Sequence, residues 1–223
     1  MIRIDTLIRT KRKSLSLHIT PHGNLVVKAP ERMPISVIES FITKKEVWIN
    51  ASRQKVLANL ELNSNLINCN DVLYCGKTYP VIFTSDVKQV ILSTTACLIP
   101  IKITHEKKEL ALKKWYLKAS PEIVLPRIIY FANLMQVHVN SVKFTNAAAK
   151  WGSCDSKSDI RLNWRLVMLP PNLIDYIIVH ELAHLIELNH SQNFWRIVGS
   201  IMPEYKQHVK DTKKSGFLLQ LFR

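Results

Sequence analysis

Apolar and polar side chains alternate near the start of the chain: Leu15, Leu17 and Ile19, then Leu25 and Val27, with Pro21-His22-Gly23-Asn24 between them as a turn. This period of two predicts a β-hairpin, preceded by a further strand over residues 2–9. From Pro34 the period lengthens. Val37, Ile38, Phe41, Ile42, Lys45, Trp48, Ile49 and Val56 recur at helical spacing behind Ser36 as a cap, predicting one helix to about residue 60. Residues 71–103 return to short strands. The chain then predicts a helix from His105 to about Lys118 and another from Ser120-Pro121 to about Met135, with Pro126 expected to bend or interrupt it. Val137–Ala148 and Ile160–Met168 read as two strands joined by the polar loop 151–159. Pro170-Pro171 stops the second strand, and an apolar helix follows from about Asn172 to Leu188, then a shorter one over Phe194–Ile201 and a basic tail.

The pattern implies an α+β fold in two parts: a β-rich N-terminal module with one long helix over residues 1–103, and a region over residues 104–223 in which a short antiparallel sheet covers the apolar helix. With 223 residues the chain buries a core without staples. The four cysteines match no paired disulfide or zinc spacing, and the charged start Met1-Ile2-Arg3-Ile4-Asp5 does not resemble a signal peptide, so a cytoplasmic protein with reduced thiols is expected. No stretch approaches the roughly 20 apolar residues of a membrane span, which excludes a membrane partner of that kind. A formal charge of +14 admits nucleic acid or nucleotide phosphates as partners without specifying either. The oligomeric state is not legible.

The chemistry concentrates in His180-Glu181-Leu182-Ala183-His184, inside the apolar helix. Residues four apart on a helix share a face about 5–6 Å apart, so both imidazoles can hold one Zn²⁺ ion, while Glu181 is suited to take a proton from metal-bound water. A catalytic zinc ordinarily has three protein ligands. His190 qualifies only if the helix ends first, because six further helical residues would carry it about 9 Å along the axis. A left-handed Asn189 would make that reversal. The spacing equals that of the metzincin motif, but Glu187 stands where that motif has its turn glycine; Glu187 and Glu204 remain alternative third ligands.

Trp151-Gly152-Ser153-Cys154, Ile160-Arg161-Leu162-Asn163-Trp164-Arg165-Leu166, the zinc motif, and Asn189-His190-Ser191 followed by Phe194-Trp195 together resemble the YgjP-like metallopeptidase family. The resemblance reaches back to Lys11-Arg12-Lys13-Ser14-Leu15-Ser16-Leu17, to Gly23–Pro30 and to Trp48-Ile49, so it covers essentially the whole chain. It is more distant to SprT-like and other gluzincin-type proteases. It implies a zincin-like fold, a zinc site of His180, His184 and His190, and Glu181 as general base. It also implies two substrate classes, because a relative of that family is described as a metal-dependent pyrophosphohydrolase of a pyrimidine nucleoside triphosphate.

Substrate contacts are expected from Trp151 and Gly152, and from Arg161, Asn163 and Arg165, which alternation places on one polar face of their strand. Cys154 reads as a plain thiol; Asp175 and Glu204 read first as surface carboxylates and are the candidate partners for a ligand's free ring nitrogen, and His208 reads as structural or exposed, with His208 or Tyr205 the alternative oxyanion donor. The expected activity is a zinc metallopeptidase. The alternatives are a nucleoside triphosphate (UTP-type) pyrophosphohydrolase using the same site and a nucleic-acid-binding module with a structural metal.

Overall fold

The computed structural model describes residues 2–20 and 23–222, with all their side chains except those of residues 55, 58–63 and 105. It divides into two compact units, residues 1–65 and 66–223. The division thus falls elsewhere than the expected boundary at residues 103/104.

In the first unit, β1 (Thr6–Thr10), β2 (Ser16–Ile19) and β3 (Leu25–Pro30) form a sheet of order β1-β3-β2. The expected hairpin pairs β2 antiparallel to β3, while β1 runs parallel to β3 on its other side. Pro21 and His22 of the expected turn lie outside the described residues. Leu25, Val27 and Ala29 bury one face of β3 against Ile38, Ile42 and Ile49. The expected single helix is broken into α1 (Ile35–Lys44) and α2 (Glu46–Ile67), because Lys45 leaves helical geometry at φ −106, ψ 10. Arg53 on α2 donates to Gly23 O and Asp5, fastening that helix to the strand ends.

In the second unit, β4 (Asp71–Tyr74), β5 (Lys77–Thr84), β6 (Ile91–Leu92) and β7 (Cys97–Pro100) form a sheet of order β4-β5-β7-β6. One helix, α3 (His105–Met135), replaces the two that were expected and contains both Pro121 and Pro126. Proline removes a helical hydrogen bond and crowds the preceding turn. Here the buried stripe Leu112, Tyr116, Ala119, Val124, Ile128 and Phe131 holds the helix on the core through both prolines. Tertiary packing overrides the local signal.

Next come β8 (Ser141–Thr145), β9 (Gly152–Cys154) and β10 (Asp159–Asn163), in the order β8-β10-β9. The sheet is mixed, not antiparallel as expected: β10 runs antiparallel to β9 and parallel to β8. The expected strand to Met168 stops at Asn163, whose side chain accepts from Arg165 N and caps a fully buried 3₁₀ turn, Trp164–Met168. The turn at Cys75-Gly76 docks on that segment through Cys75 N–Val167 O (2.7 Å) and Gly76 N–Met168 O (3.1 Å). The chain closes with α4 (Pro171–Ala183), α5 (Gln192–Ile201), α6 (Tyr205–Lys214) and a 3₁₀ segment, Ser215–Gln220. Among the described residues no helix is long and apolar enough to cross a membrane.

Candidate metal centre

Helix α4 is buried over most of its length, including Leu173, Ile174, Ile177, Ile178, Val179 and Leu182. That burial fixes its rotation and brings His180 and His184 to one place, ring centroids 5.1 Å apart. The helix ends at His184, earlier than the expected Leu188. The chain then reverses without a left-handed Asn189: among the described residues only Cys69, Cys75, Gln136, Ser158 and Phe222 combine a side chain with positive φ. A turn from Asn189 O to Ser191 N (2.8 Å) and the Ser191 cap of α5 return His190 to the other two rings.

The ligand atoms of His180, His184 and His190 all lie within 4.8 Å of one another, a set that can hold one metal ion. Nε2 of His180 and of His190 are 2.9 Å apart. Burial, and then the neighbouring imidazoles, lower His180 to about 4; burial also lowers His184. Both rings are therefore neutral at pH 7, the form that donates a lone pair. The Glu187 carbonyl lies 3.2 Å from His184 Nδ1 and can accept its proton, leaving Nε2 free to ligate. Nδ1 of His180 is buried without a partner among the described residues. Converging neutral imidazole nitrogens, one tautomer set by a carbonyl, suit a nitrogen-ligated metal.

The ring of Phe194, fully buried on α5, packs 4.6–5.0 Å from all three imidazoles. Trp195 lies 5.9 Å from His180 and 5.7 Å from His190, and stacks on Tyr205 at 5.2 Å. Phe194-Trp195 entered the sequence reading only as the start of a helix and as part of the family resemblance; their place as aromatic walls of the histidine cluster was not anticipated.

Glu181 is only 6 % exposed. Burial raises its carboxyl to about 7, opposed by the charge of Lys150, a nearby cation the sequence reading passed over. Gly152 of β9 lies directly against this carboxyl: a Cβ there would meet Glu181 Oε1 at 2.5 Å and Cγ and Cδ at 2.7 Å. Only a residue without a side chain lets the strand and the glutamate approach so closely. Among the described residues β9 is also an outer strand of its sheet, paired only with β10.

The other expected substrate contacts are dispersed. Trp151 is 8 % exposed and belongs to the core, its carbonyl accepting from Asn163 N at 2.7 Å. The expectation of one polar face carrying Arg161, Asn163 and Arg165 fails, because the strand ends at Asn163. The buried Asn163 amide donates to Ala147 O (2.6 Å) and Lys150 O (3.3 Å). Arg165 is fully buried in the 3₁₀ turn, and its guanidinium donates to the carbonyls of Leu221 and Phe222. Arg161 alone reaches the surface, paired with Asp155 at 3.1 Å. Glu187 accepts from Asn193, Glu204 precedes α6, and neither belongs to the histidine cluster. Asp175 receives two hydrogen bonds from Arg127, so it serves that arginine and not a ligand. His208 is buried 5.7 Å from the Tyr176 ring, which lies 5.9 Å from His180. The Cys154 thiol is pushed up to about 11, first by burial and then by Glu181, which makes it a poor nucleophile.

The chain is similar to an Escherichia coli (strain K12) protein named UTP pyrophosphatase, 29% identical over 104 residues that make up 46% of this chain and 60% of that protein. It thus spans less than two thirds of that relative's length. Among solved structures it is similar to the metallopeptidase zymogen of Pyrococcus abyssi abylysin, with 21% identity, a TM-score of 0.39, and coverage of 41% of this chain and 93% of that one. The family described as YgjP-like, metallopeptidase domain, matches residues 13–215. The match spans nearly the whole chain and includes every histidine of the cluster, so this protein belongs to the YgjP-like metallopeptidase family, a family of metal-dependent hydrolases.

Proposed function

We propose that the protein is a zinc-dependent peptidase in which His180, His184 and His190 hold the ion and Glu181 is the general base. The observation that carries the reading is the outer strand β9 lying against Glu181 at Gly152. An extended peptide can add to such an edge through main-chain hydrogen bonds, which brings a scissile amide beside the carboxyl. When bound, zinc supplies Lewis acidity toward the amide carbonyl and a water of lowered pKa. Glu181 takes the proton of the attacking water and returns it to the departing nitrogen. Its burial raises the carboxyl, to about 7 in the metal-free site, so that it holds a proton more readily than an exposed glutamate and can pass it on to the nitrogen. Phe194 and Trp195 exclude water from one side of the imidazoles. Four free thiols support a cytoplasmic setting.

A second reading, pyrophosphate hydrolysis of a nucleoside triphosphate at the same residues, draws support from the relative named UTP pyrophosphatase and from Lys150, a cation close enough to act on Glu181 and suited to a phosphate oxygen. Zinc-loaded protein and its Glu181→Gln variant, each incubated with a peptide library and with a nucleoside triphosphate panel, separate the two. Peptide cleavage that disappears in the variant is the expected result. Loss of triphosphate turnover alone would transfer the reading to the second substrate class, and turnover unchanged by the variant would remove Glu181 from the mechanism.

A further inference from the structure

We propose that a groove in the second unit, separate from the histidine cluster, binds single-stranded nucleic acid. The groove encloses about 770 Å³ between α3 and the segment linking β5 to β6, and none of its lining residues belongs to the metal centre. One wall is a single face of α3: Ala111, Lys114, Trp115, Lys118 and Glu122 recur three or four residues apart and so line up along the helix. The facing wall brings Lys88 and Gln89 from the linking segment, and Tyr74 from the end of β4. Lys88, Lys114 and Lys118 are exposed, whereas the rings of Tyr74 and Trp115 are half-buried and in contact, centroids 5.4 Å apart and tilted by 45°.

Two aromatic faces set among three lysines form the combination that single-stranded nucleic acids use: rings stack on bases, which every sequence offers, and ammonium groups follow the phosphates. The tilt leaves no parallel slot between the two rings, so a base stacks on an outer face and is not sandwiched. An acidic peptide would satisfy the lysines but would leave the indole and phenol without flat partners. Glu122, the one carboxylate in the lining, offers an acceptor to the amino groups of bases. The +14 charge of the whole chain draws a polyanion toward the surface, and the groove gives the strand a place to lodge.

The test uses the full chain and a short fluorescently labelled oligouridylate, read by anisotropy across a salt series. Replacing Lys88, Lys114 and Lys118 together by alanine should weaken binding about tenfold or more and reduce the log–log salt slope by about 2, since each lost phosphate contact contributes about 0.7. A control variant, Lys143→Ala with Lys210→Ala and Lys213→Ala, changes the net charge equally but should have little effect. Trp115→Phe keeps an aromatic ring in place and should remove part of the tryptophan quenching seen when the strand binds. Equal weakening by the control set would show that affinity comes from diffuse charge and would overturn the proposal. So would unaltered quenching in Trp115→Phe, competition by polyglutamate as effective as by unlabelled oligouridylate, or no binding at low salt. Metal content, set by other residues, should stay the same in all these variants.

Discussion

Gly152→Ala tests the contact on which the enzymatic reading rests. The added methyl carbon would sit 2.5 Å from Glu181 Oε1 and 2.7 Å from its Cγ and Cδ. Carbon atoms find their best separation at about 3.5–4.0 Å, so the carboxyl or the strand must retreat by roughly 1 Å. Misplacing a reacting group by 1 Å costs on the order of 100-fold in rate, equivalent to about 2.7 kcal/mol at the transition state. Overpacking should cost a further 1–3 kcal/mol of stability, roughly, because Glu181 is buried and has little room to yield. The three histidines are not displaced, so bound zinc should stay near one per chain. The assay is kcat on whichever substrate the wild-type enzyme turns over, with zinc measured by elemental analysis and unfolding followed in denaturant. Two glycines calibrate the result. Gly216→Ala meets no atom within 4 Å and should leave kcat unchanged, while Gly199→Ala meets the Tyr205 ring, Cε1 at 3.3 Å and Cδ1 at 3.5 Å, and should have a small effect. A folded, zinc-loaded Gly152→Ala enzyme within threefold of wild-type kcat would refute both the close approach and the base role built on it.

Three further outcomes follow from the same geometry. His180→Ala, His184→Ala and His190→Ala should each abolish tight zinc binding while Glu187→Ala and Glu204→Ala retain it, as elemental analysis after dialysis would report; stoichiometric zinc in His190→Ala would return the third ligand to a carboxylate. For the metal-free protein, His180 has a folded pKa of about 4 against an ordinary 6.5, so below pH 6.5 the unfolded state binds more protons. The His180 contribution should be level above 6.5 and fall as pH drops toward 4, by at most roughly 3–4 kcal/mol at 1.36 kcal/mol per unit. The Glu181 carboxyl, raised to about 7, acts with the opposite sign between pH 4.5 and 7, so the contribution is read as the difference in urea-unfolding free energy between wild type and His180→Asn, and a difference that does not change with pH would refute it. Arg165→Met should cost about 2–4 kcal/mol by stranding the buried carbonyls of Leu221 and Phe222, without raising KM for either substrate class; a raised KM with unchanged stability would restore Arg165 to the substrate.

The residues that were legible in the sequence are those whose geometry is local. His180 and His184 share a face because any α-helix places residues four apart together, and Glu181 follows from its position beside them. Leu25 and Val27 announce their buried face by the period of a strand, and Ala29 continues it in the fold. The misread residues depend on partners far along the chain. Arg165 looked like one of three alternating polar side chains, yet its direction is set by carbonyls 56 and 57 residues later, and no pattern around it encodes them. Pro121 and Pro126 are local breakers whose effect is outweighed by the buried stripe of α3. The parallel pairing of β8 with β10 required β9 to intervene between them in sequence and then to take the outer position, an order that alternation alone does not specify. Gly152 lies between these two classes. Its residue type permits a close backbone approach, but only the packing of β9 on α4 identifies the approaching group as the Glu181 carboxyl. The candidate metal ligands are thus written into one helix and the reversal after it, whereas the strand edge beside Glu181 is created by the tertiary fold, and under the proposed peptidase reading substrate selection belongs to that second layer.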